Sequence, residues 1–374
     1  MSWEVLKVST PEELKRFVRL PHRIYRNDPC YIPPLEFERM KFLDARRNPF
    51  FEHAEVDHFI VTNAQGQEAG RISTVLDRSF NEYHNERTGF FGMFECIQNA
   101  EVARTLLEVA QNWCRTRKLD TLRGPMNLST NHECGLLVEG FHTPPVFGIT
   151  YNPPYYAEFI ENCGFQKAKD LINMGLVPLK VPDYMVEAQA KLLKRGRFKI
   201  RTLRPQKFEQ ELEIIWDVYN DAWSANWGFI PMTKKEFWFA AMDMKAILIP
   251  ELCLIAEVQG EPVGFSLSLP DFNQTLRKVN GKLFPFGWFH LAFGRRKADA
   301  IRTLTLGVKK KFRRLGIDLV FYTRTYQWGV DQGINLCDQS WVLEDNKAMV
   351  EPILRLGGYP YKRHRIYERQ LGNQ

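Results

Sequence analysis

The sequence lacks the marks of several large protein classes. Its seven cysteines form no C-x-x-C pair and are odd in number, which argues against a disulfide framework and against a zinc site. No run of about eighteen or more apolar residues is present that would span a bilayer as a helix. We therefore expect reduced, mostly buried thiols and no membrane-spanning helix.

Other absences narrow the chemistry. The G-x-S-x-G motif of hydrolases and the G-x-x-x-x-G-K-[ST] phosphate loop do not occur. His53 and His58 flank two carboxylates, but their five-residue spacing before a predicted strand matches no recognised metal geometry, so we expect no metal. The amino-terminal stretch is acidic and amphipathic, unlike a signal peptide, and it predicts a cytoplasmic location.

Length and composition describe a two-domain globule. The chain has 374 residues, of which 44% are hydrophobic and 25% charged. These values are typical of a soluble protein with two domains of ordinary size. The net charge of +7 fits a polyanionic small ligand, an anionic membrane surface or RNA equally well, so charge alone does not identify a partner.

Two segments of the sequence recur at a fixed distance. Residues 57–77 and 251–271 each read as two strands joined by a glycine-containing turn, and residues 152–165 resemble residues 346–359. In both cases the second copy begins 194 positions after the first. A shared step at both ends indicates an internal duplication.

The duplication predicts the fold class and the domain boundaries. Each half reads as β-hairpin, strand, helix, strand, helix, strand, preceded by an earlier strand and helix, which predicts an α/β fold with a mixed sheet and helices on both faces. We expect domains at residues 1–180 and 199–374, joined by a linker at 181–198. The helix in residues 101–118 shows the apolar stripe expected of a helix that packs on a sheet.

A basic, glycine-containing turn marks the second half. The stretch FRRLGID, residues 312–318, follows a predicted strand at 302–308 and precedes an amphipathic helix. The first N–H groups of such a helix are unpaired and attract phosphate, and Arg313 and Arg314 add positive charge. The alternative is an ordinary solvated helix start.

At these residues the chain resembles the GCN5-related N-acetyltransferase (GNAT) superfamily, whose pyrophosphate loop reads Q/R-x-x-G-x-G/A. Arg313, Gly316 and Asp318 occupy the signature positions, and Asp318 departs from the usual glycine or alanine. The resemblance implies two tandem GNAT-like domains and an acyl-coenzyme A donor. It implies donor contacts from Leu306, Gly307, Val308, Arg313, Arg314, Leu315, Gly316, Ile317 and Asn346.

The first half lacks this loop. Its corresponding stretch, FECIQNAEVA at 94–103, has neither glycine nor arginine, and Asn99 reads as a helix cap. We expect the first half to keep the fold without binding the coenzyme.

The resemblance also implies a catalytic arrangement. In the superfamily, strand N–H groups polarise the thioester while an amine attacks, and a tyrosine seven residues after the asparagine protonates the thiolate. Ile353 stands at that place here, and Tyr359 and Tyr361 are substitutes by proximity, or else packing residues. For the base we nominate Glu344, with Glu133 and His132 as rivals, the alternatives being surface carboxylates and a hydrogen-bonded loop histidine.

Two further stretches indicate the acceptor. GPMN at 124–127 and YNPPYY at 151–156 resemble a bacterial group of tandem proteins in or near which the bacterial ceramide synthases fall. The polar connection between the stretches is typical of a binding loop. The resemblance implies transfer to the amine of a lipophilic acceptor such as a sphingoid base, and we expect no nucleic-acid partner.

An aromatic and basic segment in the second half points to a membrane surface. Residues 282–297, KLFPFGWFHLAFGRRK, are too short to span a bilayer but suit an anionic interface. We expect peripheral association with the inner face of the membrane. The alternative is an insertion packed on its own domain or at a dimer contact.

Three other functions remain open from the sequence. The chain could be a small-molecule N-acetyltransferase, an aminoacyl-tRNA-dependent transferase with the same tandem fold, or a non-catalytic protein that binds coenzyme A or lipid. Asp318 and Ile353, which depart from the superfamily pattern, favour the last of these.

Overall fold

The computed structural model describes residues 3–279, 281 and 298–372. The strands are β1 Trp3–Lys7, β2 Ala54–Asn63, β3 Glu68–Asp77, β4 Thr88–Cys96, β5 Thr121–Gly124, β6 Leu136–Glu139, β7 Gln166–Leu176, β8 Lys199–Thr202, β9 Cys253–Val258, β10 Glu261–Pro270, β11 Ala300–Val308, β12 Leu336–Leu343 and β13 Tyr359–Gln370. The helices are α1 Pro11–Ile24, α2 Glu36–Phe42, α3 Arg78–His84, α4 Ala100–Thr116, α5 Tyr155–Asn162, α6 Asp183–Lys194, α7 Phe208–Ala222, α8 Lys234–Met244, α9 Asn273–Val279, α10 Ile317–Asp331 and α11 Lys347–Arg355.

The described residues form two compact units. The first unit contains residues 3–171, 276–279, 281 and 362–372. The second unit contains residues 172–275 and 298–361. The predicted domain boundaries divide the sequence into its two duplicated halves, which is a different division from the compact units, and they remain a prediction. The compact units assign 362–372 to the first unit and the predicted linker, which contains helix α6, to the second.

The first unit has a mixed sheet in the order β1-β2-β3-β4-β5-β13, with β6 also on β13. Neighbours are antiparallel except β4 and β5, which α4 connects as a parallel pair. Helix α4 begins where the Asn99 side chain accepts hydrogen bonds from two backbone N–H groups, so the predicted cap is confirmed. Its apolar face packs on the sheet closely, because a Cβ on Gly70 would lie 2.7 Å from Leu106 Cδ1.

The second unit repeats this plan. Its strands follow the order β12-β11-β10-β9-β8, and β11 and β12 are parallel with α10 between them in the chain. Val320 and Phe321 of α10 pack on Val263 of β10 in a fully buried cluster. Both predicted hairpins are present, with the turn glycines Gly66 and Gly260 at φ values of +74° and +86°.

The predicted fold class is therefore confirmed as an α/β fold with mixed sheets. No helix of the described ranges is both long enough and apolar enough to cross a membrane. The aromatic and basic segment at 282–297 lies outside the described residues.

Candidate functional site

The central feature of the second unit is the point where β11 and β12 stop pairing. Of the residues that the structure describes, the last parallel partners are Thr303 and Gln339. Residues 304–308 of β11 and 340–343 of β12 continue beyond this point. We refer to the region between these two ends as the β11–β12 cleft. It lies at the carboxyl ends of two parallel strands, where ligands of α/β sheets commonly bind.

A β-bulge shapes the β11 side of the cleft. The register with β10 shifts so that Leu267 pairs with Thr305 and Ser268 with Thr303, which leaves Leu304 as the extra residue. A bulge reverses the alternation of side chains along a strand. Arg302, before the bulge, and Thr305, after it, therefore share a face of the sheet. The buried Thr305 Oγ1 has no hydrogen-bond partner among the described residues.

The predicted donor residues of β11 line this strand end. Leu306 packs in the core cluster that contains α10, and Val308 is buried in the same cluster. A Cβ on Gly307 would overlap the ring of Trp223, which follows α7. Glycine is therefore required at 307 for helix packing.

The loop after β11 is fixed by Arg313. Its guanidinium donates hydrogen bonds to the Ala222 carbonyl at 2.7 Å and to the Val308 carbonyl at 3.3 Å. Ala222 is the last residue of α7, so the arginine ties the loop to the carboxyl end of that helix. The side chain predicted to bind phosphate thus has a structural role in the loop.

Gly316 has a conformational and a packing requirement. Its φ is +80°, which favours glycine, and a Cβ would lie 2.7 Å from Leu192 Cδ1 of α6. Leu192 and Leu315 belong to the same apolar cluster. The missing side chain thus makes room for α6, a neighbour that the sequence did not predict.

The N-terminus of α10 has features that suit the binding of an anion. Within the described part of the chain, no side chain caps the N-terminus after Gly316. Arg314 is exposed, and Arg314 and Gly316 have left-handed φ values of +70° and +80°. Asp318 is exposed in the first turn, and Ile317 is buried. Lys309 is engaged elsewhere, because its Nζ lies 2.7 Å from the Asp217 carboxylate.

Two predicted residues follow β12. Glu344 is half-buried in the turn directly after the strand. Asn346 directly precedes α11, and its carbonyl accepts a hydrogen bond from the Met349 N–H at 3.0 Å, but its side chain caps nothing in the described structure. Both residues lie at the same strand ends as the loop, because β11 and β12 are parallel.

A polar network that the sequence did not reveal lies at the base of the cleft. Asp338 of β12 is the register partner of Arg302 and is fully buried. Its carboxylate accepts hydrogen bonds from three side chains. They are Tyr361 Oη at 2.5 Å, Asn173 Nδ2 at 3.3 Å and Ser340 Oγ.

Arg302 supports this network without pairing tightly to the acid. Its Nε and Nη2 donate to the Oγ and the carbonyl of Ser340, each at 3.2 Å. The Arg302 Nε lies 3.9 Å from Asp338 Oδ1. Burial raises the pKa of the Asp338 carboxyl. The Arg302 charge and the hydrogen bonds lower it by a smaller amount, so the pKa is raised overall. Burial, followed by the Asp338 charge, also raises the pKa of the Tyr361 phenol.

The remaining predicted catalytic residues lie elsewhere in their units. Tyr359 of the second unit is exposed, with its ring centroid 6.4 Å from that of Tyr361. In the first unit, Glu133 forms an ion pair with Arg39 and accepts a hydrogen bond from Asn127 at 3.2 Å. Burial raises the pKa of Glu133, but the Arg39 charge and the hydrogen bonds outweigh it, so the pKa is lowered. A lowered pKa makes this carboxylate a weaker base.

His132 of the first unit is held by its surroundings. Its Nδ1 lies 2.9 Å from Ser129 Oγ, and its ring packs edge-on against Phe42 and Phe50. These contacts are those of an ordered loop histidine. The hydrogen bonds of Glu133 and His132 show that the connection after β5 is well packed.

The first unit fills its equivalent of the cleft. Paired residues of β4 and β5 end at Phe90 and Arg123, and the chain after β5 then occupies the gap. Met126 N–H donates to the Phe91 carbonyl at 2.7 Å, and Met93 N–H donates to Asn127 Oδ1 at 2.8 Å. The N–H of Met93, beyond the last pair of β4 and β5, is therefore satisfied internally.

Among the described residues, no group of three or more His, Cys, Asp or Glu side chains is arranged to hold a metal ion. The sequence did contain a signal for the polar network. Arg302 and Asp338 are charged residues with apolar neighbours in the sequence, and a buried charge needs a partner. That signal predicts pairing in general, but it does not say that the two strands are neighbours in register.

Comparison with known proteins identifies relatives along the whole chain. A bacterial ceramide synthase of Caulobacter vibrioides (strain NA1000 / CB15N) is 37% identical over 383 residues, which cover 98% of this chain and 97% of that protein. Protein YghO of Escherichia coli (strain K12) is 34% identical, with 96% and 93% covered. No family model matches the chain.

Solved structures agree on the fold. A tandem GNAT protein from the clavulanic acid biosynthesis pathway superposes with a TM-score of 0.60 at 13% identity, and each chain is covered completely. At that identity the likeness concerns the fold alone. It confirms the tandem GNAT architecture that the sequence predicted.

Proposed function

The chain belongs to the family of the bacterial ceramide synthase and is an acyltransferase with the tandem GNAT fold, and we propose that it transfers an acyl group from acyl-coenzyme A to the amine of a lipophilic acceptor such as a sphingoid base. The reaction forms an amide and releases the coenzyme thiol.

One observation carries the proposal, namely the β11–β12 cleft. An acyl-coenzyme A arm needs a slot beside a strand whose N–H groups can polarise the thioester carbonyl. In the second unit, residues 304–308 of β11 extend past the last pair with β12. In the first unit, Met126 and Asn127 hydrogen-bond into the corresponding gap. This contrast supports a single donor site in the second unit.

The loop at the end of β11 supports the same donor. The uncapped start of α10, the exposed Arg314 and the left-handed Gly316 suit a pyrophosphate. Arg313 shapes this loop through its bonds to Ala222 and Val308. We propose that the main chain of residues 314–317 and the Arg314 side chain contact the donor.

The acceptor class is proposed from the relative's name and from the surface of the second unit. Residues 177–186 carry exposed apolar side chains, among them Leu179 at 81% exposure and Tyr184 at 57%. Lys194 and Arg195 are exposed at the other end of α6. Exposed apolar side chains and cations on the same stretch of chain suit an anionic membrane, where a lipophilic amine would be met. Peripheral membrane association is part of the proposal.

The function is tested by thiol release. Purified protein is mixed with long-chain acyl-coenzyme A and a sphingoid base, and free thiol and amide are measured. We expect release that requires both substrates and no RNA. Release with acetyl-coenzyme A and polar amines only would indicate a small-molecule acetyltransferase. Dependence on aminoacyl-tRNA would indicate the peptidyl-transferase type, and no release with any amine would contradict the proposal.

Membrane association is tested by sedimentation with vesicles. We expect binding to phosphatidylglycerol vesicles and weaker binding to phosphatidylcholine vesicles. Leu179→Ser should weaken binding, whereas Met242→Ser, at a residue of 43% exposure on α8, should not. Equal binding by both variants would remove residues 177–186 from the proposal.

A further inference from the structure

Asp338 and Tyr361 form a pair at the base of the β11–β12 cleft, and of the two only Tyr361 was considered from the sequence, as a substitute proton donor to the thiolate. The Tyr361 Oη donates to Asp338 Oδ2 at 2.5 Å, and both residues belong to the second unit. Asp338 is register partner to Arg302, one position before the strands stop pairing. Asp338 is therefore level with a position two residues before 304–308, the stretch that the proposed function assigns to the donor.

Asp338 and Tyr361 differ in their exposure to solvent. Asp338, Arg302, Ser340 and Asn173 are all buried, whereas Tyr361 is only partly buried. Of the two side chains only Tyr361 has exposed surface, so we infer that a substrate reaches the pair through the tyrosine. Asp338 can therefore act on a substrate only through Tyr361.

The ion pair between Arg302 and Asp338 is long, and the closest partners of the carboxylate are neutral side chains. A buried carboxylate that serves only stability is normally matched by a tightly bonded cation. Here two Arg302 hydrogen bonds go to Ser340, and the Arg302 Nε lies 3.9 Å from the Asp338 carboxylate, which is a long ion pair. The raised pKa of Asp338 makes the carboxylate a better proton acceptor than an exposed one.

We propose that Tyr361 takes the proton of the attacking amine and passes its own phenol proton to Asp338, so that the pair is the general base of acyl transfer. This inference rests on the proposed function. Tyr361 touches the reacting atoms, and Asp338 is a positioning and proton-accepting residue behind it.

The step balances without another reactant. The amine nitrogen bonds to the thioester carbon, and one N–H proton moves to Tyr361 Oη as the phenol proton moves to Asp338. The tetrahedral intermediate then collapses, the C–S bond breaks, and the proton returns through Tyr361 to the thiolate sulfur. The products are the amide and the free thiol, and both side chains regain their starting states.

The test compares Asp338→Asn and Tyr361→Phe with the unaltered protein. We expect kcat to fall about 100-fold or more in each variant, with the Kd for acyl-coenzyme A changed less than about threefold. Tyr326→Phe is the matched control, because it removes a phenol from a buried position of the same unit, and we expect it to keep full activity.

The pH profile supplies the readout that a structural role would not change. The charged or titratable groups acting on the pair are Arg302 on β11 and Asp271 after β10. The rate of the unaltered protein should rise with pH as Asp338 loses its proton, and Asp338→Asn should abolish this rise in the residual rate.

The outcomes separate the inference from the proposed function. If the unaltered protein releases thiol and both variants retain kcat, the inference is wrong and the function stands. Loss of activity together with loss of coenzyme binding and a lowered Tm would assign the network to stability, which also overturns the inference. If the unaltered protein releases no thiol, both fail together.

Discussion

Met126 N–H donates a hydrogen bond to the Phe91 carbonyl at 2.7 Å, just beyond the last paired residues of β4 and β5. The GPMN stretch, residues 124–127, thereby fills the gap that opens where the parallel strands β4 and β5 stop pairing. The second unit has no such insertion among its described residues next to β11 and β12. This difference is the physical reason for proposing one donor site, in the second unit.

The filled gap predicts a severe effect for Gly92→Ala. The new Cβ would overlap the Met126 carbonyl oxygen, which is backbone and cannot rotate away. We expect a loss of about 3 kcal/mol or more in the free energy of unfolding. Gly264→Ala is the control, since its nearest atom would be Gly307 O at 3.1 Å. Urea denaturation of both variants checks the prediction, and equal losses would contradict it.

Arg313 and Arg314 should respond differently to truncation. Arg313→Ala removes the bonds to Ala222 and Val308, so we expect about 1–2 kcal/mol less stability and a raised KM for acyl-coenzyme A. Arg314→Ala, at an exposed residue, should raise KM up to about tenfold with little loss of stability. Thermal melts and initial rates measure both effects. The prediction is wrong if Arg314→Ala is the less stable protein.

Gly316→Ala should lose stability for two separable reasons. The left-handed backbone costs a residue with a Cβ about 1–2 kcal/mol, and contact with Leu192 Cδ1 adds to this cost. Gly333→Ala isolates the backbone effect, because its φ is +65° and a Cβ there would meet nothing within 4 Å. We expect Gly316→Ala to be the more destabilised, and Leu192→Ala to remove the difference. No difference between the glycine variants would contradict the packing of α6 on the loop.

The buried His58 predicts a pH dependence of stability. Its Nδ1 lies 2.7 Å from Ser73 Oγ, and burial, with the Arg71 charge, lowers its pKa from 6.5 to about 4. Between these values the unfolded chain binds a proton that the folded protein does not, so this group makes stability fall as the pH decreases. The full contribution is roughly 3 kcal/mol.

His58→Gln should flatten this part of the curve. Urea denaturation at pH 7 and pH 5 should show a smaller loss of stability in the variant than in the unaltered protein. Identical losses would mean that folding does not lower the pKa of His58.

The sequence predicted the elements whose signals are local. The hairpins around Gly66 and Gly260 follow from turn chemistry, and α4 follows from its apolar stripe and the Asn99 cap. The strand–turn–helix at the end of β11 was predicted from glycine and charge, and the structure contains it.

Side-chain contacts between segments that are distant in the sequence could not be predicted. The Arg302–Asp338 partnership requires knowing that β11 and β12 are paired with that offset, and Tyr361 comes from a third strand. The packing of Leu192 against Gly316 depends on α6, which lies in the segment predicted to be a linker. Arg313 was predicted to bind phosphate because the sequence does not show its actual partners. Both are backbone carbonyls, and one of them, that of Ala222, is distant in the sequence.

A structure of the protein with a bound acyl-coenzyme A analogue tests the proposed donor site most directly. We expect the pantetheine arm between residues 304–308 of β11 and 340–343 of β12, with the pyrophosphate at the start of α10. The analogue bound in the first unit, or outside the β11–β12 cleft, would contradict it.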